Sequence, residues 1–179
     1  RGFLMNPPDG FTESALLSPR GALFVGRADQ LAALDAAYTA GSEHVDTMQR
    51  LSAREVLDRV PVLREDYVAA GVLEADAMDM DVNALHQGFL RGARNRGAEL
   101  RPRARVERLQ RRGGVWRVRA GGDEIGAGVV INAAGAWCDR IADLAGARRV
   151  GLMPKRRTAI LFDGPEDQQF SNWPAFIDA

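Results

Sequence analysis

Polar and apolar positions along the chain fall into three patterns, and each predicts a different kind of element. Helical spacing appears at Leu31, Leu34 and Tyr38, at Val82, Leu85, Phe89 and Ala93, and at Trp137, Ile141, Leu144 and Ala145. The first set predicts a helix that Asp29 opens, as N-cap or first-turn acid, and Gly41 stops. The second predicts a helix capped by Asp81 and stopped by Gly97. The third ends at Gly146. Ser52 with Glu55 forms a capping box for a shorter helix, AREVLDRV, which Pro61 ends. Short runs with strand-like alternation lie between residues 98 and 130, separated by Gly113-Gly114 and Gly121-Gly122, and predict a β-meander with tight turns at 104–126. Short apolar runs predict strands at 22–27, at 44–48 and within 71–80, the last followed by a turn. Val129, Val130 and Ile131 are apolar without alternation, as in a parallel strand buried on both faces. A long strand is expected in VGLMPKRRTAILFDG, with Pro154 near its start. Residues 1–21, with Pro7, Pro8 and Pro19, read as loop.

Composition narrows the class without naming a function. The chain is 46% hydrophobic and 27% charged, with 24 basic and 24 acidic residues, so it is neutral overall. That is the make-up of a globular protein, not of a disordered tail, a collagen or a coiled coil. No apolar run approaches the ~18–20 residues of a membrane span, and no signal peptide opens the chain. The single cysteine, Cys138, has no internal partner for a disulfide. Lys155 is the only lysine among 23 arginines, which suggests GC-rich bacterial coding. A bacterial cytoplasmic setting is the expectation. The chain starts at Arg1 and its last residues read like the inside of a strand, so an internal piece of a longer protein is expected.

Several candidate sites are weak. No G-x-G-x-x-G, P-loop, H-E-x-x-H or CxxC is present. His44 and His86 have no ligand partners in sequence, and His86, beside Val82 and Phe89, reads as a packed structural residue. Cys138 opens a helix, where a thiolate is favoured, but a small buried hydrophobe outweighs that reading. Glu74, Asp76, Asp79 and Asp81 lack the pattern of a calcium loop, and Asp81 is better explained as a cap; no metal is expected. Residues 101–119 hold eight arginines against one acid, Glu107. A phosphate-binding face is one reading; a solvated outer face of the meander is favoured. The segment from Asn132 to Trp137 is more informative. A strand that ends in Ala133, Ala134 and Gly135 lets a ligand approach the backbone, and the helix that follows offers unpaired amides.

The strings DVNALHQGFLRGARNRGAEL, ARVERL, GVVINAAGAWCDRIADLAG and MPKRRTAIL together resemble the central part of the D-amino-acid/glycine/sarcosine oxidase family of FAD-dependent oxidoreductases, over roughly residues 20–179. VVINAAGAW is the most specific of these motifs. The resemblance implies an α/β (α+β) fold: an incomplete FAD-binding Rossmann-like domain with a β-meander, plus part of a mixed-sheet substrate domain. Residues 1–80 would be a substrate-domain portion with an N-terminal loop, 81–149 the partial FAD-binding domain, and 150–179 a further substrate-domain strand. A strand at 98–101 would lie parallel and near to one at 129–133. FAD is the implied cofactor. Val106 resembles the position whose backbone meets the adenine; Ala133, Ala134, Gly135 and Trp137 resemble residues near the ribose and pyrophosphate. Gly135 is expected at a corner that a Cβ would crowd.

The function so implied is oxidation of the C–N bond of an amino acid or secondary amine, with a small-molecule amine as partner and no nucleic acid. The family's first dinucleotide fingerprint and its flavin-ring segment would fall outside these residues. The chain alone is therefore expected to be inactive and to self-associate. No catalytic residue is assigned. Arg156 and Arg157 stand where they could meet an anionic substrate, although structural ion pairing is favoured. The alternative is a non-enzymatic binding domain that uses the stretch from Arg101 to Arg119 for nucleic acid or another polyanion.

Overall fold

In the computed structural model the chain is described at all positions except Arg157, Phe162 and residues 164–169. In chain order the elements are α1 (Gly2–Met5), β1 (Leu17–Pro19), β2 (Ala22–Gly26), α2 (Leu31–Ser42), β3 (Met48–Ser52), α3 (Ala53–Arg59), β4 (Ala70–Glu74), β5 (Met78–Met80), α4 (Val82–Asn95), β6 (Val106–Arg112), β7 (Val115–Ala120), β8 (Asp123–Ala127), α5 (Cys138–Ala145) and β9 (Ala175–Asp178). The fold is mixed α/β with open sheets. It divides into two compact units, Arg1–Gly97 with Asp163–Ala179, and Ala98–Phe162.

The first unit is built on a four-stranded mixed sheet in the order β3-β4-β2-β9. β2 pairs antiparallel with β4 and parallel with β9; β3 pairs antiparallel with β4. Alternation along β2 puts Leu23 and Val25 on one face, where they join Leu51, Val56, Val60, Val68 and Leu73 in the core. Gly71 matters to this packing: a Cβ there would stand 2.6 Å from a Val56 methyl, so its absence lets α3 close on the sheet. α3 begins as its sequence predicts. The Glu55 carboxylate accepts from the Ser52 N–H (2.8 Å) and hydroxyl (2.7 Å), and the Ser52 hydroxyl accepts from the Glu55 N–H at 3.4 Å. The Asp81 carboxylate likewise accepts from the Ala84 N–H at 2.8 Å and starts α4.

Residues 1–21 are more ordered than a loop reading implies. Phe3 stacks on Phe89 of α4 (5.7 Å between ring centres), and Phe11 meets both rings edge-on at 5.1 and 5.2 Å. His86 is exposed, not packed, because α4 turns Leu85 and Gly88 inward and leaves His86 outside. The strand expected at 44–48 begins at Met48 and runs to Ser52 instead, after a turn at residues 46–47.

In the second unit β6, β7 and β8 form the expected antiparallel meander. Its first turn is Gly113-Gly114, both at positive φ (57° and 81°), a conformation costly for any residue with a Cβ. Among the described residues, Leu109 and Ala120 on one face of the meander, and Cys138 and Ala142 of α5, are the buried apolar residues of this unit, and α5 packs on β6.

Two expected strands do not form among the described residues. Residues 98–101 and 129–133 have no ladder partner, and Val129 and Ile131 are 77% and 86% exposed. An apolar run becomes a buried parallel strand only with neighbours on both sides, and here β6, β7 and β8 pair only with one another. The described part of 150–161 is also irregular. Its start is held by a side chain: the Asp139 carboxylate accepts from the backbone N–H groups of Val150, Gly151 and Leu152 at 2.8, 3.0 and 3.1 Å. Those N–H groups are thereby taken from any strand ladder. Arg156 is exposed, and Arg157 lies outside the described residues.

Candidate cofactor site

Within the second unit, the start of β6 and the start of α5 enclose a cleft of about 360 Å³ lined by Arg105, Val106, Trp137, Arg140 and Ile141. Val106 is placed by its pairing with Ala120, just before a bulge at residues 106–108 re-aims the strand. Trp137 closes a 3-10 turn (Gly135–Trp137) that runs into α5, and the residue is 67% exposed. Arg140 and Ile141 follow one turn later on the same helix. Two of the five candidate residues, Val106 and Trp137, thus share one cleft, although 31 positions separate them in sequence.

Ala133, Ala134 and Gly135 lead into Trp137 but do not line that cleft. Their corner is shaped by Asn132. Its side-chain N–H donates to the Cys138 carbonyl at 2.8 Å, and its side-chain oxygen accepts from the Ala134 N–H at 3.3 Å. Gly135 has φ +53°, yet a Cβ there would meet nothing within 4 Å. The expectation of crowding is corrected: the position requires glycine by backbone conformation, and the space beside it is open.

The cleft's chemistry suits part of a dinucleotide. Val106, Ile141 and the Trp137 ring are apolar surfaces for a planar base. The Arg105 and Arg140 guanidinium groups can pair with phosphate oxygens. Its volume lies within the roughly 300–1,000 Å³ of small-molecule sites. Cys138 is buried, and burial first, then its hydrogen bond to Asp139, pushes its thiol above the ordinary value, so it is no thiolate nucleophile. Asp139 lies below the usual carboxylate range, chiefly through the Val150 N–H. Among the described residues no group of three or more His, Cys, Asp or Glu could hold a metal ion, and no helix is long and apolar enough to cross a membrane.

Sequence reasoning did not single out Arg105, Arg140 or Asn132. Arg140 stands three residues after Trp137, on the same side of a helix, which is a signal the spacing carried. Asn132, just before three small residues, is a turn-forming type in a turn-forming place.

Comparison with known proteins places the chain in a family. The family of FAD dependent oxidoreductases matches residues 11–179. The fold is similar to glycine oxidase from Geobacillus kaustophilus (TM-score 0.65, 21% identity, 73% of this chain and 35% of that one). It is similar to L-alpha-glycerophosphate oxidase from Mycoplasma pneumoniae, solved with FAD bound (0.64, 20%, 74% and 36%). It is also similar to iminodiacetate oxidase from Chelativorans sp. BNC1 (0.59, 28%, 74% and 36%). The chain spans about a third of the length of these structures. With the family matched over nearly all of its residues, the chain belongs to the FAD-dependent oxidoreductases.

Proposed function

We propose that the protein carrying this chain oxidises the C–N bond of an amino acid or secondary amine, and that these residues hold the adenine side of its FAD. The observation that carries the reading is the convergence of Val106, Trp137, Arg105 and Arg140 on one cleft. FAD, when bound, supplies the hydride acceptor for such chemistry. The chain's own part is binding and orientation. The Val106 backbone would meet the adenine. Ala133, Ala134 and Gly135 leave the backbone open to the ribose and pyrophosphate, and the two arginines would offset phosphate charge. The amine substrate is supported by two fold relatives, which are a glycine oxidase and an iminodiacetate oxidase.

In this reading residues 81–149 carry the cofactor side, and 1–80 with 150–179 the substrate side. α4 shares its compact unit with residues 1–80, so it is the stretch from Ala98 onward that packs around the cleft. A bacterial cytoplasm suits a chain whose one cysteine is a buried free thiol. The absorption spectrum of the whole protein that carries this chain tests the proposal. Bands near about 370 and 450 nm, bleached by an amine or amino acid without oxygen, are expected for a flavin oxidising such a substrate. A colourless protein, or a flavin that amines leave oxidised, overturns it. Arg140→Glu should lower flavin content per protein while leaving the melting temperature within about 2 °C.

The second reading, a domain that binds polyanions through residues 101–119, gains one observation. Arg108, Arg112, Arg117 and Arg119 line one hollow of the meander. Trp116 alternates to the other face, so no aromatic ring of β7 is offered there for base stacking, and nucleic acid is not favoured.

A further inference from the structure

The second unit holds fourteen basic and six acidic residues, a net charge of +8 in a chain that is neutral as a whole. Part of this charge is concentrated by strand register. Arg108 of β6 stands directly opposite Arg119 of β7, and Arg117 stands opposite Gln110, between Arg108 and Arg112 on the same face. This face points away from the buried Leu109 and hence away from α5. With Gln110 and Glu124, the four arginines surround a hollow of about 370 Å³. Gly126 of β8 helps to form it: the Arg117 guanidinium lies 3.7 Å from where a Cβ at Gly126 would stand.

Like charges directly opposite on paired strands destabilise a sheet. A solvated surface would disperse them or pair them. Among the described residues, Arg119 reaches one carboxylate, Glu107 at 3.6 Å, whereas Arg108, Arg112 and Arg117 make no ion pair. Elsewhere in this unit two arginines find carboxylates, Arg101 with Glu99 and Asp123 and Arg149 with Asp143, and the unpaired ones are not set opposite one another on paired strands. The hollow has one carboxylate on its rim, Glu124, against four guanidinium groups. Guanidinium forks match the paired oxygens of a phosphoryl group, and several in one concave place match a chain of them.

We propose that this hollow on the outer face of the meander is a binding site for a soluble, multiply charged phosphate compound, held through Arg108, Arg112, Arg117 and Arg119. It is independent of the proposed FAD cleft, because the two lie on opposite faces of β6 and share no lining residue.

Isothermal titration of sodium tripolyphosphate into the purified protein tests it. Saturable binding at one site per chain is expected, weakening as salt rises. Arg117→Gln and Arg108→Gln should each weaken binding about tenfold, the scale of one charge-assisted hydrogen bond. Glu124→Gln should tighten it. Arg140→Gln, in the other cleft, should leave it unchanged. Arg108→Gln relieves the opposed charges, so its melting temperature without ligand should equal or exceed that of the parent, which separates lost binding from lost folding. Absence of saturable binding overturns the proposal, as does equal weakening by Arg140→Gln. A mixed-sequence single-stranded oligonucleotide that binds this face and that tripolyphosphate cannot displace also overturns it, in favour of nucleic acid.

Discussion

Gly135 and Asp139 show how single residues shape the corner before α5. At φ +53°, a β-branched side chain at position 135 meets no neighbour but must hold a left-handed backbone, at a cost of about 1–2 kcal/mol. Gly135→Val should therefore lower the melting temperature and, by shifting Ala133 and Ala134, reduce flavin content in the purified protein. Full occupancy with an unchanged melting temperature would show that the corner neither needs glycine nor faces the cofactor. Asp139 ties α5 to residues 150–152. Its carboxyl is held below the usual range, first by the Val150 N–H and then by those of Gly151 and Leu152, with the Cys138 thiol adding a further donor. A depressed folded value means stability that is full above the unfolded carboxyl pKa, roughly 3.9, and lost as pH falls through the folded one. Asp139→Asn should lower the melting temperature by about 4 °C or more at pH 7. That difference should shrink toward zero as the pH falls through the lowered folded value. A constant difference across pH would mean the carboxylate charge contributes nothing.

At the scale of elements, local signals predicted well. The capping box at Ser52 and Glu55 and the cap at Asp81 form as read, because a cap depends on residues within one turn of each other. Ser52→Ala should cost about 1 kcal/mol, measured by urea unfolding. The cluster of Phe3, Phe11 and Phe89 was not legible, since three rings far apart in sequence carry no shared periodicity. It depends on Gly88, where a Cβ would press into the Phe11 ring. Gly88→Val should cost about 1–3 kcal/mol by overpacking and increase amide exchange over residues 2–11. If exchange there is unchanged, the N-terminal segment does not rest on α4. The run at 129–131 misled because an apolar sequence specifies what a strand would bury and not whether a neighbouring strand is present to pair with it.

For the whole molecule, exposed apolar residues set the expected behaviour. Val129, Ile131, Val150, Met153, Ile160 and Leu161 are each 76–98% exposed. Such a concentration of apolar surface drives association. Sedimentation velocity on the chain alone should show species larger than a monomer, growing with concentration; a clean monomer at all concentrations contradicts this. The described residues offer FAD two guanidinium groups and one short 3-10 turn as phosphate donors, so the chain alone should bind FAD only weakly. A stoichiometric complex at about 1 μM or tighter, roughly −8 kcal/mol, would show that these residues suffice.

Sequence by itself determined helices α2 to α5, the caps at Ser52 and Asp81, the meander and its glycine turns, because each depends on neighbours a few positions away. It also carried the family, through VVINAAGAW and its flanking strings. Tertiary structure decided what depends on distant positions. It brought Val106 to Trp137 across 31 positions, and it left residues 129–133 unpaired. It also gathered four of the eight arginines of 101–119 around one hollow, while Arg101 pairs with Glu99 and Asp123. Alternation fixes which residues share a face of a strand. Only strand register, set by the turns and the bulge at 106–108, fixes which residues of neighbouring strands stand side by side.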